Sequence, residues 1–198
     1  HGPKILFCLF YYSLPLLYSC KNGAQVLVRT SRLTNKEENL RIFARRIAET
    51  GQFLMDTMRP NGLNKGAPGI QAILKVRLIH AAIRFFVARG EWDQEQLGLP
   101  INQEDMALTL MTFCIAPIRG LERFEIAVPA EDKEAYLHCW RGIGHLMGVD
   151  AQLLPNTFEE GAWLLDRILE RQSASSEAGQ LLTKALIDFG NRALNSEK

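Results

Sequence analysis

QAILKVRLIHAAIRFFVA, residues 71–88, decides how this chain is read. Apolar side chains fall on most sides of a helix drawn through it, and Arg89-Gly90 supplies a stop, so it predicts a helix apolar enough to be central in an all-helical fold. Three of its polar residues form a stripe. At about 100° per residue, Arg77, His80 and Arg84 share one face, because each lies three or four positions from the next.

Outward from this segment the sequence stays helical. On its N-terminal side NGLNKGAPG, residues 61–69, is the clearest loop of the chain. Before the loop, a long helix opens with the capping-box pair Thr34 and Glu37. It carries Leu40, Phe43, Ile47 and Leu54 at helical spacing as far as Met58. On the C-terminal side Asn102 caps a helix with Asp105 in its first turn, through MALTLMTFCIAP, which Pro117 is expected to break. Another helix begins after Pro129, with Glu131 and Asp132 suited to its dipole, and reaches Gly148. Thr157 and Glu160 cap the next, which ends near Gln172, and a last one occupies roughly Ser176 to Leu194. Only Gln25 to Arg29 has an extended look, and so short a piece serves equally as a helix end. The expectation is an all-α, single-domain bundle of about six to eight helices over residues 1–198, with globin-like packing open to it.

Residues 4–20, KILFCLFYYSLPLLYSC, combine a lysine, an apolar run and a closing cysteine, as a secretory or lipoprotein leader would. The run is too short to span a bilayer, contains Pro15, and places bulky Tyr18 where a cleavage site needs small residues. A helix packed into the core is the favoured reading. The opening His1-Gly2-Pro3 reads as a tag remnant, which would put the natural start upstream.

Lysine plus arginine number 23 against 22 aspartates and glutamates, and the net charge of +1 gives no bulk attraction for nucleic acid. Cys8, Cys20, Cys114 and Cys139 form no C-x-x-C pair, and three of them lie in apolar helical surroundings. A reducing, cytoplasmic setting without a transmembrane segment follows as the expectation. The chain has no G-x-S-x-G elbow, P-loop or dinucleotide fingerprint, which disfavours hydrolases and nucleotide-binding proteins.

The polar stripe needs a partner. Two guanidiniums a turn either side of an imidazole repel each other when dry, and they oppose protonation of His80, leaving a nitrogen lone pair available. Two kinds of partner satisfy them. Protein carboxylates stand downstream at Asp93, Glu95, Glu104 and Asp105. Haem is the alternative, since its iron takes a neutral imidazole and its propionates take cations.

Glu134, His138 and His145 also share a helical face, and a carboxylate with histidines can hold non-haem iron or zinc. Glu134 and His145 would lie about 16 Å apart along the axis, so only Glu134 and His138 could share an ion. A packed face is the plainer reading, with Trp140 and Arg141 structural. Phe85-Phe86, Met106-Met111 and Trp163-Leu165 read as ordinary core stripes.

The motifs KVRLIHAAIR, the following WD, GLPINQEDMALT, YLHCWRGIGHLMGVD with its LLP, and ARRIAETGQF before them are collinear from about Leu14 to Asp188. In these the chain resembles the latex-clearing rubber oxygenases and their relatives, among them the endoplasmic-reticulum-bound oxygenase of mycophenolic acid biosynthesis. The resemblance implies an all-helical domain binding one b-type haem. In it the histidine of R-x-x-H-x-x-x-R is the proximal iron ligand, with O2 activated opposite.

Carried over, His80 is the iron ligand, and Arg77 and Arg84 orient propionates or the proximal helix. In the family a preceding helix carries an arginine, then a lysine and a threonine three and four positions on, over the distal face. The matching residues here are Arg46, Glu49 and Thr50, so the lysine is replaced by a carboxylate. A lysine amine can ligate ferric iron; a carboxylate would accept a proton or hold water, or pair with Arg45 or Arg46 within its helix. The upstream glutamate that serves the rubber enzymes as base falls on Thr30, so rubber cleavage is not carried over as the substrate assignment.

The resemblance therefore implies a b-haem oxygenase acting with O2 on an apolar, unsaturated, isoprenoid-like substrate, with Phe53 and Leu54 lining its access. A non-catalytic helical relative that binds haem or lipid, and a non-haem metal protein, stay open as alternatives.

Overall fold

The computed structural model describes residues 2–31 and 36–195, which fall into two compact units, His1–Cys20 with Ile101–Ala174 and Lys21–Pro100 with Ser175–Lys198. Helices dominate both, and no strand forms among the described residues. Gln25 to Arg29 is helical.

In the first unit α1 (Gly2–Cys8), a wide π turn (Leu9–Ser13) and α2 (Leu14–Ser19) pack on α7 (Gln103–Arg123), as do α8 (Ala130–Met147) and α9 (Phe158–Gln172). The apolar segment near the N-terminus is thus a helical layer against α7, with Cys8, Leu14 and Tyr18 buried. Asn102 caps α7 as expected, and Asp105 answers it to complete a reciprocal capping box, satisfying backbone donors at the start of the helix. From Met106 to Leu121 nearly every side chain of α7 is buried, which makes it the core helix.

Pro117 does not break α7. Its ring nitrogen cannot donate to the carbonyl four residues back, which is that of Phe113. The Tyr136 hydroxyl, reaching across from α8, donates to that carbonyl at 3.3 Å instead. A buried acceptor orphaned by proline is satisfied by a neighbouring helix, and α7 continues to Arg123. Burial pushes the Tyr136 phenol up to about 12, so it stays a donor. Behind it Trp140 stacks on Phe113 with ring centres 5.9 Å apart.

α8 ends at Gly148, whose φ of 85° is a left-handed conformation that favours glycine. The Thr157 hydroxyl caps α9 by accepting the Glu160 N–H at 3.2 Å. Arg119 of α7 grips Asp166 of α9 with bonds of 2.6 and 2.8 Å. This two-pronged pair holds the Asp166 carboxyl below its usual range. Cys8, Cys20 and Cys114 are buried free thiols, and Cys139 is an exposed one.

The second unit comprises α3 (Lys21–Ser31), α4 (Lys36–Met58), α5 (Pro68–Ala88), the short α6 (Gln94–Leu97) and α10 (Glu177–Asn195). Its core gathers Ala24, Val26, Phe43, Ile47, Ile73, Leu182 and Leu186. Phe43 and Phe189 bring α4 against α10 with ring centres 6.2 Å apart. Thr34 and the side chains of Glu37 and Leu40 lie outside the described residues.

α5 starts at Pro68, three residues earlier than the periodicity suggests, because proline at the first helical position has no donor to lose. The residues that read as central are largely exposed. Of α5, Gly69 and Ile73 are buried, while Leu78 is 72% and Phe86 71% exposed. Phe85 and Trp163, expected in core stripes, are exposed too, whereas Met106, Met111 and Leu165 are buried as expected. Apolarity fixed what these segments avoid; it did not specify a neighbour.

Candidate functional site

The α4–α5 hairpin carries the residues that the sequence singles out. Its turn is tight because glycines let backbones touch: a Cβ on Gly69 would come within 2.7 Å of the Asp56 carbonyl oxygen and 3.0 Å of the Thr57 Cα. From this contact the two helices run back antiparallel. Arg46 lies eleven residues before Thr57, and His80 eleven after Gly69. At about 1.5 Å per residue they stand at the same height, about 16 Å from the turn.

On α4, Arg46 Nη1 donates to the Leu27 carbonyl of α3 at 3.2 Å, which draws its guanidinium inward. The Thr50 hydroxyl donates to the Arg46 carbonyl at 2.8 Å, one turn back. Glu49 does not join them. Its carboxylate accepts from Arg45 Nε at 2.9 Å on the outside of α4, where the two side chains are 57% and 80% exposed. The helix-internal ion pair is therefore where the structure puts Glu49. Thr30 is exposed at the end of α3, its hydroxyl donating to the Val26 carbonyl at 2.8 Å.

On α5 the buried Ile73 marks the inner face. Counting about 100° per residue from it, His80 and Arg84 fall within about 20° on either side, and Arg77 about 40° away. Leu74, Leu78, Ile79, Phe85 and Phe86 occupy the opposite arc. His80 and Arg84 are half-buried, Arg77 is exposed although the count puts it near the same face, and the large apolar groups point outward.

His80 Nδ1 is buried and has no hydrogen-bond partner. Burial first, and the Arg84 charge second, hold the imidazole below its ordinary 6.5, so it is neutral near pH 7. A neutral imidazole with a buried lone-pair nitrogen can ligate a metal or accept a hydrogen bond from an acidic group.

Three of the four carboxylates expected as partners for the stripe are engaged elsewhere. Asp93 caps α6, accepting from Glu95 and Gln96 backbone N–H groups at 3.1 and 3.0 Å. Asp105 belongs to the capping box, and Glu104 pairs with Arg171 and accepts from Gln172. Glu134 is likewise committed: both its oxygens accept the Phe158 N–H, at 3.0 and 3.2 Å, at the start of α9. Among the described residues no three His, Cys, Asp or Glu side chains gather to hold a bare metal ion. A porphyrin iron needs only one side-chain donor, a role that the orphaned His80 Nδ1 has the chemistry to fill.

Sequence reasoning missed the Leu27 carbonyl that anchors Arg46 and the outward apolar arc of α5. The arc had a signal in the spacing of Leu74, Leu78 and Phe85, which follows one side of a helix.

Fold and site define an all-α protein with a shielded, unpartnered imidazole nitrogen on a helical hairpin. The chain belongs to the family described as ER-bound oxygenase mpaB/B'/Rubber oxygenase, catalytic domain, whose model matches residues 13–196. It is 28% identical over 145 residues to the rubber oxygenase of Streptomyces sp. (strain K30), an alignment that covers 72% of this chain and 36% of that protein. Its fold is similar to that of the latex clearing protein LCP in the closed state, with a TM-score of 0.65 at 23% identity over 94% of this chain and 47% of that one. The chain thus spans between about a third and a half of the length of these relatives. Among the described residues no helix is long and apolar enough to cross a membrane.

Proposed function

We propose that this chain is part of a b-haem-dependent oxygenase that acts with O2 on an apolar, unsaturated, isoprenoid-like substrate. The observation that carries the proposal is the buried His80 Nδ1 without a partner, in a chain that belongs to an oxygenase catalytic-domain family. His80 would hold the iron, and Arg84 and Arg77 would supply the counter-charge for propionates. Haem, when bound, supplies the redox chemistry that activates O2.

The protein's own groups keep the imidazole neutral and bury its Nδ1. They also tether the Arg46 guanidinium to Leu27 at the same height on the facing helix. Arg46 and Thr50 are the groups of α4 best placed to shape the opposite side of the pocket, with half-buried Phe53 and Leu54 toward substrate access. Glu49 takes part only if its pair with Arg45 opens.

Protein produced with haem supply is expected to show a Soret band that His80→Ala removes. A colourless protein that ignores added hemin would overturn the reading. Glu49 favours a second reading, a haem- or lipid-binding relative without catalysis, because its solvent-side ion pair leaves no lysine equivalent at the distal position. Haem binding without O2 consumption over a panel of polyisoprenoids would select that reading.

A further inference from the structure

The outward arc of α5 is the largest feature that the proposed haem site leaves unused. Leu74, Leu78, Ile79, Phe85 and Phe86 are all exposed, and they lie within about 140° of one another around the helix, opposite Ile73. Phe85 and Phe86 meet edge to face at 5.3 Å, forming one continuous aromatic surface. An apolar face this wide on a helix calls for a cover.

The charges on α5 indicate which cover. Between Pro68 and Gly90 the chain carries Lys75, Arg77, Arg84 and Arg89 and no carboxylate at all. By the same angular count Lys75 and Arg89 lie inside the apolar arc itself. Arg89 spreads its guanidinium over the Phe85 ring, 3.6 Å from its centre, so that cation and aromatic form a single amphipathic surface. A second copy docked through this face would set cations against cations. A bilayer with anionic headgroups offers apolar depth and negative charge in one plane, which matches the arc in both respects.

We propose that the outer face of α5 docks on an anionic lipid bilayer, with Leu74, Leu78, Phe85 and Phe86 entering the headgroup boundary and Lys75 and Arg89 meeting the phosphates. The helix lies on the surface and does not cross it. The proposal is independent of haem, because His80 and Arg84 occupy the inner face.

Co-sedimentation of the whole chain with phosphatidylcholine vesicles, alone or with about a third phosphatidylserine, tests it. The bound fraction is expected to be about tenfold higher on the anionic vesicles and to fall with added salt. Leu78→Glu with Phe86→Glu should abolish binding to both, and the milder Leu78→Ser should weaken it. Lys75→Glu with Arg89→Glu should remove the preference for phosphatidylserine. Far-ultraviolet circular dichroism checks that each variant stays folded, and His80→Ala should bind vesicles as the parent does.

Binding that is absent, or indifferent to lipid charge and to these variants, would overturn the proposal. So would a dimer in solution that Leu78→Ser dissolves, since the occupant would then be a second copy.

Discussion

α5 and α7 are helices of the same length, 21 residues each, and they meet opposite fates. α7 is wrapped by α1, α2, α8 and α9 and buries an unbroken run of side chains from Met106 to Ile118 except for Thr109. α5 has the more apolar sequence, yet it leans on α4 and α3 with one face and leaves the opposite one bare. The difference lies in which residues point inward. α7 turns methionine, leucine and phenylalanine to its neighbours, and its one defect, Pro117, is repaired by Tyr136. α5 turns His80 inward with its Nδ1 buried and without a hydrogen-bond partner, an arrangement that stability alone would not select.

The comparison can be broken first by truncation. Ile115 is fully buried in α7, so Ile115→Ala should cost about 2–5 kcal/mol in urea denaturation. Leu78→Ala on α5 should stay within about 0.5 kcal/mol. Equal losses would mean that the two helices are covered alike.

Titration sharpens it next. Burial pushes the Asp105 carboxyl from 3.8 up to about 6. Below its folded value the folded state therefore holds a proton that the unfolded chain lacks, so this group adds stability as pH falls from about 6 to 4. His80 has the opposite sign: held below 6.5, it stays neutral in the fold while the unfolded chain protonates, and stability is lost as pH drops through 6.5. Asp105→Asn should thus stabilise the chain near pH 7 by up to about 3 kcal/mol, an advantage that fades by pH 4. Thermal melts across this range would show it, and a constant difference between the two proteins would refute it.

Smaller still is the proline repair. Tyr136→Phe should cost about 1–2 kcal/mol by orphaning the Phe113 carbonyl. In a Pro117→Ala background, where the backbone N–H returns, most of that cost should vanish. A loss of the same size in both backgrounds would place the role of Tyr136 elsewhere.

The smallest effect expected is at Glu49. Its pair with Arg45 is exposed, so Glu49→Ala should leave both stability and any Soret band close to those of the parent. A displaced Soret maximum would return Glu49 to the pocket.

Much of this was legible in the sequence because local signals are strong at helix ends. The Asn102–Asp105 box, the Thr157 cap and the left-handed Gly148 all act within a turn of themselves, and each sits where its spacing indicates. Pro117 misled because its rescue comes from Tyr136, nineteen positions away in sequence and on another helix. α5 misled because a hydropathy pattern records how strongly a segment avoids water and carries no information about its neighbour. The stripe of Arg77, His80 and Arg84 was visible from spacing alone, and the same spacing set the apolar arc on the other side. Arg46 and Thr50 emerged only through the family pattern. Glu49 is parted from Thr50 by a single residue of helical rotation, and that step of about 100° is enough to turn its side chain toward solvent.

The inward-facing imidazole is the centre of the account, and a hemin titration of the purified chain followed at the Soret band tests it most directly. Saturable, stoichiometric uptake that His80→Ala abolishes is the predicted result. Titrations of parent and variant that superimpose would contradict it.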